Sequence, residues 1–488
     1  MEIFNGSVGA GALVLLGVCL LIALGFEFVN GFHDTANAVA TVIYTKSLKP
    51  GTAVIWSGFM NFLGVLLGGT AVAFSIVHLL PVDLLINIGQ SAGLLMVLSL
   101  LLSAIIWNIG TWYFGLPSSS SHALIGSILG VGLASSLFSG RGFGSGVNWG
   151  KAQEVGLALL VSPLLGFGLA ALLLLAMKFL IKDRRLYEEP HGDAPPPPWI
   201  RWTLLVTCTG VSYNHGSNDG QKGVGLIMLI LIGILPTQFA LNTAYKNSDI
   251  QASQQAVQRL QATLSQSRDP AFQPLTEELG RVNAALTGTS DLQSLPPETR
   301  TAIRTDLLRI ETLLAKWDKA QGPQLSKDER EAFHTDQKQL RGMTDFVVPW
   351  VPVLVALALG VGTTVGWKRI VVTVGEKIGK THLTYAQGAT AEMVAMGLIY
   401  GAGTMGLPVS TTHVLSSGIA GTMAANRSGL QTATIRNIAI AWILTLPVTM
   451  LMAGTLFALT AGSSLKAMSS DKLDIPPPQP QRIIRSVN

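Results

Sequence analysis

Residues Gly115–Leu124 read GLPSSSSHAL, and residues Gly406–Leu415 read GLPVSTTHVL. The Gly-Leu-Pro start, one hydroxyl residue (Ser119 and Ser410), the histidine (His122 and His413) and the final Leu coincide. Ser120 stands opposite Thr411, and Ser121 opposite Thr412. Each copy is preceded by a second motif, NGFHDTANA at Asn30–Ala38 and HGSNDGQKG at His215–Gly223. Here Gly31 matches Gly216 and Asp34 matches Asp219. From Gly31 to Gly115 is 84 positions, and from Gly216 to Gly406 is 190. The excess of 106 is close to the length of a polar, charged tract at 241–343 that interrupts the apolar pattern. Without that tract the halves have nearly equal length. Two motifs in the same order at matched spacing mark an internal repeat.

The repeat is written in membrane composition. Of the 488 residues 49% are hydrophobic and only 12% charged, about half the charge of a soluble domain. Several of the apolar windows at 11–44, 53–80, 94–114, 123–138, 155–181, 202–240, 346–367, 385–405, 414–425 and 435–461 reach the 20 or so residues that span a bilayer. Short alternating strands, the mark of a β-barrel, do not occur. The run at 11–44 lacks a basic start and a small-residue cleavage site, and reads as a spanning helix, not a leader. Cys19 and Cys208 lie in apolar runs and read as inert thiols. Basic residues sit in loops, so the chain shows no nucleic-acid footprint. The expected fold is an all-α polytopic membrane protein whose environment is the lipid bilayer.

Loop charge orients the repeats. The linker at 182–200, with Arg201 after it, carries Lys182, Arg184, Arg185 and the stiff run Pro195–Pro198 and is expected in the cytoplasm. The loop at 81–87 has no Lys or Arg. Its repeat partner at 368–380 has Lys368, Arg369, Lys377 and Lys380. Matching loops on opposite sides make the repeats inverted. The expected domains are repeat 1 at 1–181, the linker at 182–200, repeat 2 at 201–240 and 344–461, a helical extramembrane insert at 241–343 and a tail at 462–488. The insert and both termini are expected outside. Segments such as ETRTAIRTDLLRIETLLAKW in the insert have apolar residues at helical spacing and offer no catalytic constellation.

Each half supplies two functional parts. The first is a Gly-punctuated polar stretch carrying an aspartate inside an apolar run. It is expected to break the spanning helix, with the released backbone facing protein or a cavity. The second is a proline, then hydroxyl residues and an apolar helix, expected as a re-entrant hairpin tip. Pro ends the preceding segment and Ser or Thr caps the next helix, so Ser119, Ser120, Ser121, Ser410, Thr411 and Thr412 belong at helix N-termini. There the unpaired N–H groups and the positive dipole end suit an anion. Two such tips meeting suit a tetrahedral oxyanion held by neutral donors, which can release it. The alternative for each serine run is small-residue helix packing. Asp34 and Asp219 would repel the anion unless they accept its proton or hold a co-travelling cation, with Asn37 and Asn218 adding ligands. Oxygen ligands favour a hard cation. His33, His122, His215 and His413 are expected to orient these groups or relay protons. Lys222 replaces Asn37 in the second copy. It could neutralise Asp219, touch the anion or fill a cation site.

On these residues the sequence resembles the PiT family of inorganic phosphate transporters. Its Gly-x-Asn-Asp-x-x-Asn-Ala signature appears as Gly31-Phe-His-Asp-Thr-Ala-Asn-Ala38 and Gly216-Ser-Asn-Asp-Gly-Gln-Lys-Gly223. Its Leu-Pro-x-Ser-x-Thr-His element appears at Leu116–His122 and Leu407–His413. The resemblance implies a symporter, not an enzyme, with inverted repeats, phosphate between two hairpin tips, and a homodimer. His33, Gln221 and Lys222 depart from the signature and resemble the bacterial low-affinity branch. That branch implies a bacterial inner (plasma) membrane and uptake of a neutral metal–phosphate complex with protons. On this reading Asp34 and Asp219 meet a co-transported metal, Mg²⁺ or Ca²⁺, with no resident cofactor, and arsenate is an analogue. A Na⁺-coupled phosphate symporter is the alternative within the class. An intramembrane metallo-hydrolase using His33, Asp34, His215 and Asp219, or a channel, is the alternative outside it.

Overall fold

A computed structural model describes residues 10–80, 90–138, 142–190, 192, 194–265 and 272–471. The chain begins with α1 (Ala10–Tyr44), α2 (Pro50–Leu67), α3 (Ala71–Val77), α4 (Gln90–Tyr113), α5 (Ser120–Phe138), α6 (Trp149–Leu180) and α7 (Pro198–Ile234). The insert supplies α8 (Asn247–Ser265), α9 (Gln273–Leu286), α10 (Pro297–Gln321) and α11 (Lys327–Arg341). The chain continues with α12 (Trp350–Thr363), α13 (Lys368–Glu376), α14 (Tyr385–Thr404), α15 (Thr411–Ala425) and α16 (Thr432–Asp471). Among the described residues there is no strand beyond one isolated bridge between Gly379 and Leu430.

Among these residues six helices, α1, α2, α4, α5, α6 and α16, are long and apolar enough to cross a membrane, or seven if α12 and α13, bent by 65°, are one span. The ten apolar windows all fall on helices, but α7 carries Asn214, His215, Asn218, Asp219, Gln221 and Lys222 in its middle, and α15 has only 15 residues. Window 53–80 divides into α2 and α3 at Gly68–Gly69, where Gly69 has φ +83°. The junction is stitched by Gln221, whose Oε1 accepts from Val72 N at 2.7 Å and whose Nε2 donates to Gly68 O at 2.8 Å. The apolar span of α16 ends at Thr460, and the helix itself runs on to Asp471. The loop at 81–87 and residues 472–488 lie outside the described residues. Leu157, Leu160, Leu164, Leu172, Leu175 and Phe179 on α6 are all exposed, an apolar face of the size that marks contact with lipid.

The expected breaks at the aspartate motifs do not occur. α1 runs unbroken through Gly31 and Asp34, and α7 through Gly216 and Asp219. The glycines serve close approach instead. A Cβ on Gly31 would lie 2.4 Å from Leu359 O of α12, and one on Gly216 would lie 2.2 Å from Asn61 O of α2. The polar side chains find partners on neighbouring helices, so the backbone has no need to open. A sharp bend occurs elsewhere, between α12 and α13, where Gly366 has φ +70°.

The Gly-Leu-Pro elements form matching helix ends. At the close of α4, Gly115 N bonds Trp112 O and Leu116 N bonds Thr111 O. At the close of α14, Gly406 N bonds Gly403 O and Leu407 N bonds Ala402 O. Both are Schellman turns, with glycine in the left-handed conformation and proline preventing continuation. The helices after these turns are held by long apolar partners. α5 packs on α16 and α15 on α6, at glycines so close that a Cβ on Gly130 would lie 2.1 Å from Met450 O and one on Gly421 2.2 Å from Phe167 O.

The insert is helical, with its own core of Ile250, Leu260, Leu279, Leu307, Ile310 and Trp317. Its entrance and exit are adjacent. Arg304 Nη1 donates to Ala240 O at 2.9 Å and Thr344 O at 3.3 Å, and Asn242 N bonds Met343 O at 2.8 Å. A short linker can therefore join 240 to 344. Deletion of 241–343 is expected to leave at least about a tenth of wild-type transport, because the removed backbone forms a separate unit. Total loss in a protein that still elutes as a folded species would make the insert part of the transport machinery.

Candidate functional site

The two Schellman turns bring the hydroxyl clusters together. Ser119 Oγ accepts from His122 N at 3.1 Å, and Ser410 Oγ accepts from His413 N at 3.1 Å. Both are N-caps, as the spacing after proline predicts. The tips touch: Ser121 Oγ donates to Val409 O at 2.9 Å, and the rings of His122 and His413 are 4.5 Å apart. His413 stacks at 4.0 Å on Trp442 of α16, whose Nε1 donates to Pro117 O at 2.9 Å. Each tip is thus fixed partly by the other's support. His122 Nδ1 lies 2.8 Å from Ser119 Oγ.

α1 and α7 place their aspartates against these tips. Asp34 Oδ1 lies 2.9 Å from His33 Nδ1 and accepts from Thr412 Oγ1 at 2.7 Å. Asp34 Oδ2 accepts from Ser120 Oγ at 3.0 Å. Ser120 Oγ also lies 3.4 Å from Asp219 Oδ2, so one hydroxyl bridges the two carboxylates. Lys222 Nζ donates to Asp219 Oδ1 at 2.7 Å, to Ser121 Oγ at 2.5 Å and to Val409 O at 3.2 Å. Asp34, Asp219 and Lys222 are all buried. Such a pair survives in a low dielectric only with good geometry and further hydrogen bonds, and Lys222 has both.

His215 completes the centre. Its Nε2 lies 3.8 Å from Asp34 Oδ2 and 3.7 Å from Asp219 Oδ2, with no hydrogen-bond partner among the described residues. One ligand atom from each of Asp34, His215 and Asp219 falls within 4.8 Å of the others. One ion bonded to all three at about 2.1–2.4 Å can bridge such separations. His215 Nδ1 is held by Asn61 Oδ1 at 2.8 Å, and Asn61 Nδ2 donates to Thr363 Oγ1 at 3.1 Å. This outer contact fixes the ring with Nε2 turned inward.

The expected residues therefore converge, with changes of partner. Ser119 and Ser410 cap their own helices. Ser120 and Thr412 turn to the carboxylates and Ser121 to the opposite tip. Thr411 Oγ1 is buried without a partner among the described residues. Asn218 is not beside the aspartates as a ligand: its Nδ2 donates to Leu407 O at 3.1 Å and its Oδ1 accepts from Val409 N at 3.3 Å. It satisfies backbone groups that the turn at Pro408 leaves unpaired. Lys222 neutralises Asp219 rather than reaching an interface. The side chain of Asn37 lies outside the described residues. Sequence reading passed over Asn61, Thr111, whose Oγ1 is 3.1 Å from His33 Nε2, and the buried Glu27 and Glu392. Glu392 accepts from Thr41 and Thr207. The signal was present, since a single carboxyl or amide in an apolar run is a site candidate by itself.

Comparison with known proteins gives a consistent result. A family model described as the phosphate transporter family matches residues 30–453. The chain is 41% identical to the low-affinity inorganic phosphate transporter PitB of Escherichia coli K12, over 92% of this chain and 97% of that protein. It is also 41% identical to PitA of the same strain, over 92% and 98%. Among solved structures, a sodium-dependent phosphate transporter superposes with TM-score 0.53 at 18% identity, covering 91% of this chain and 98% of the other. That likeness concerns the fold.

Proposed function

This chain belongs to the phosphate transporter family, and from that premise we propose that it carries inorganic phosphate inward as a neutral complex with a divalent cation, driven by protons. It is a transporter and not an enzyme. The observation that carries the finer reading is the convergence of Asp34 Oδ2, Asp219 Oδ2 and His215 Nε2 beside two touching helix N-termini. Two carboxylates against the one ammonium of Lys222 leave a net negative charge. A bare phosphate dianion is repelled by it, whereas a metal–phosphate complex presents its cation to the carboxylates and its oxygens to the tips. Two carboxylates with an imidazole nitrogen suit a divalent ion better than Na⁺. Mg²⁺ and Ca²⁺ are the cations we assign, as cargo.

In this reading Ser120, Ser121 and Thr412 exchange their present partners for phosphate oxygens on loading, and the unpartnered Thr411 hydroxyl gains one. The N-cap serines Ser119 and Ser410 keep the two helix ends aimed. His33 orients Asp34, His122 orients Ser119, His413 packs the two tips together, and Lys222 pairs with Asp219. The two repeats act as inverted halves that rock about this centre in a multi-pass inner-membrane protein, which pairs as a homodimer. Arsenate, of like shape and charge, takes the same route.

Uptake of labelled phosphate into proteoliposomes tests the proposal. Accumulation is expected under an inward proton gradient with Mg²⁺ or Ca²⁺ present, and not under a Na⁺ gradient alone. Accumulation driven by Na⁺ without the divalent ion would overturn it. Ser120→Ala combined with Thr411→Ala is expected to raise KM by about tenfold, near 1.4 kcal/mol, through loss of two charge-assisted hydrogen bonds. An unchanged KM would remove the hydroxyls from the anion site.

A further inference from the structure

A second buried polar site lies two turns back along α1. Glu27, Asn30 and Asp34 stand at i, i+3 and i+7, on one face of the helix. By helical rise Glu27 is about 10 Å from Asp34. Its side chain is fully buried, and Asn30 Nδ2 lies 3.4 Å from Glu27 Oε2. Glu27 Oε1 and Asn30 Oδ1 have no hydrogen-bond partner among the described residues. Buried polar atoms are nearly always paired, so two orphan oxygens on neighbouring side chains call for a ligand.

We propose that Glu27 is the proton-binding carboxyl that couples phosphate movement to the proton gradient, with Asn30 as its partner. This rests on the proton-driven reading above. The ligand is a proton because the site is too small and too poor in donors for an ion. Two orphan oxygens do not make the six or more ligands that Mg²⁺ or Ca²⁺ takes. The α7 backbone also closes on the carboxyl: a Cβ on Gly223 would lie 2.5 Å from Glu27 Cδ and Oε1. A proton needs only Oε1. The charged groups facing Glu27 are Asp34 on its own helix and Asp219 and Lys222 on α7. Of the helices packed on α1, α2, α4 and α12 carry no acidic or basic side chain, and α13, with Lys368, Arg369 and Glu376, meets α1 at its far end, where Tyr44 donates to Glu376. Glu392 of α14 meets α1 at Thr41, beyond Asp34 on the other side. Gly223 follows Lys222 directly, so a change of charge at the Asp219–Lys222 pair is felt at Glu27. The coupling is reciprocal: whatever factor the cargo applies to proton binding at Glu27, the proton applies to cargo binding.

The test uses the purified full chain in proteoliposomes. Glu27→Gln keeps shape and removes the titrating group. Exchange of labelled phosphate at equal pH on both sides is expected to stay within about twofold of wild type, while accumulation driven by a pH gradient falls at least about tenfold. Glu27→Asp should retain coupling at a reduced rate. Wild-type accumulation by Glu27→Gln overturns the proposal, as does loss of exchange together with accumulation in a folded variant. If Glu27→Gln does not fold, Asn30→Ala decides: a displaced pH profile of exchange supports the assignment, and an unchanged one overturns it. Should the wild-type protein itself ignore the proton gradient, the coupling reading falls and Glu27's role with it. Proton-driven wild type with equally driven Glu27→Gln removes Glu27 alone.

Discussion

Asp34→Asn and Asp219→Asn each reduce phosphate uptake by at least about a hundredfold, equivalent to 2.7 kcal/mol or more. Both carboxylates present one oxygen to His215 Nε2 and share the Ser120 hydroxyl. An amide is isosteric but neutral, and it turns an N–H₂ toward groups that now donate. The cation loses half its counter-charge, and Ser120 loses one acceptor. The two variants differ in stability. Asp34→Asn strands no lysine or arginine, since its partners are His33, Thr412, Ser120 and His215. Asp219→Asn strands the buried ammonium of Lys222, and removing one member of a buried pair costs about 3–5 kcal/mol. Lys222→Met in the same chain should therefore restore the folded yield of Asp219→Asn without restoring uptake. Thermal unfolding in detergent and uptake in proteoliposomes, measured on both single variants and the double, separate the effects. Normal uptake in either single variant would remove the carboxylates from the mechanism.

Gly31→Ala and Gly216→Ala are the second large effect, and it falls on folding. A Cβ at these positions would lie 2.4 Å from Leu359 O and 2.2 Å from Asn61 O. Both clashes are with backbone, which cannot swing aside as a side-chain tip can. The helix pairs α1–α12 and α2–α7 must separate, at about 1–3 kcal/mol each for overpacking. Separation also moves the site. Asn61 holds His215, one residue before Gly216, and Thr363 holds Asn61. Lost uptake with a lowered unfolding temperature is the expected outcome for both. Gly69→Ala is a contrasting case. That glycine has open space around it but φ +83°, so its cost is backbone strain alone, roughly 1 kcal/mol, with the site untouched. If Gly216→Ala unfolds and transports like wild type, its role is not close approach.

The same glycines show where sequence reading stops. Gly31 and Gly216 read as helix breaks because glycine and polar residues interrupt an apolar run. Whether a helix breaks there depends on whether neighbours satisfy the polar groups, and those neighbours lie far along the chain. Asp34 meets Ser120 and Thr412, and His215 meets Asn61. Asn218 was legible as a site residue but not as the brace of Leu407 and Val409. Lys222 was legible as an oddity, and its pairing with Asp219, three residues earlier on the same helix, is a contact that helical spacing alone could supply.

The sequence by itself determined the membrane class, the pairing of the motifs, the helical insert and the ends of the tip helices. These come from composition and from contacts within a few residues, such as a glycine turn before proline or a serine capping its own helix. Tertiary structure alone decided that α1 and α7 stay whole, that Ser120 bridges the two aspartates, and that Glu27 and Asn30 are left with unpaired oxygens. Those outcomes depend on which backbone fills the space where a glycine lacks a Cβ and which donor reaches a carboxylate, distances set by helix packing, which no local pattern in the chain encodes.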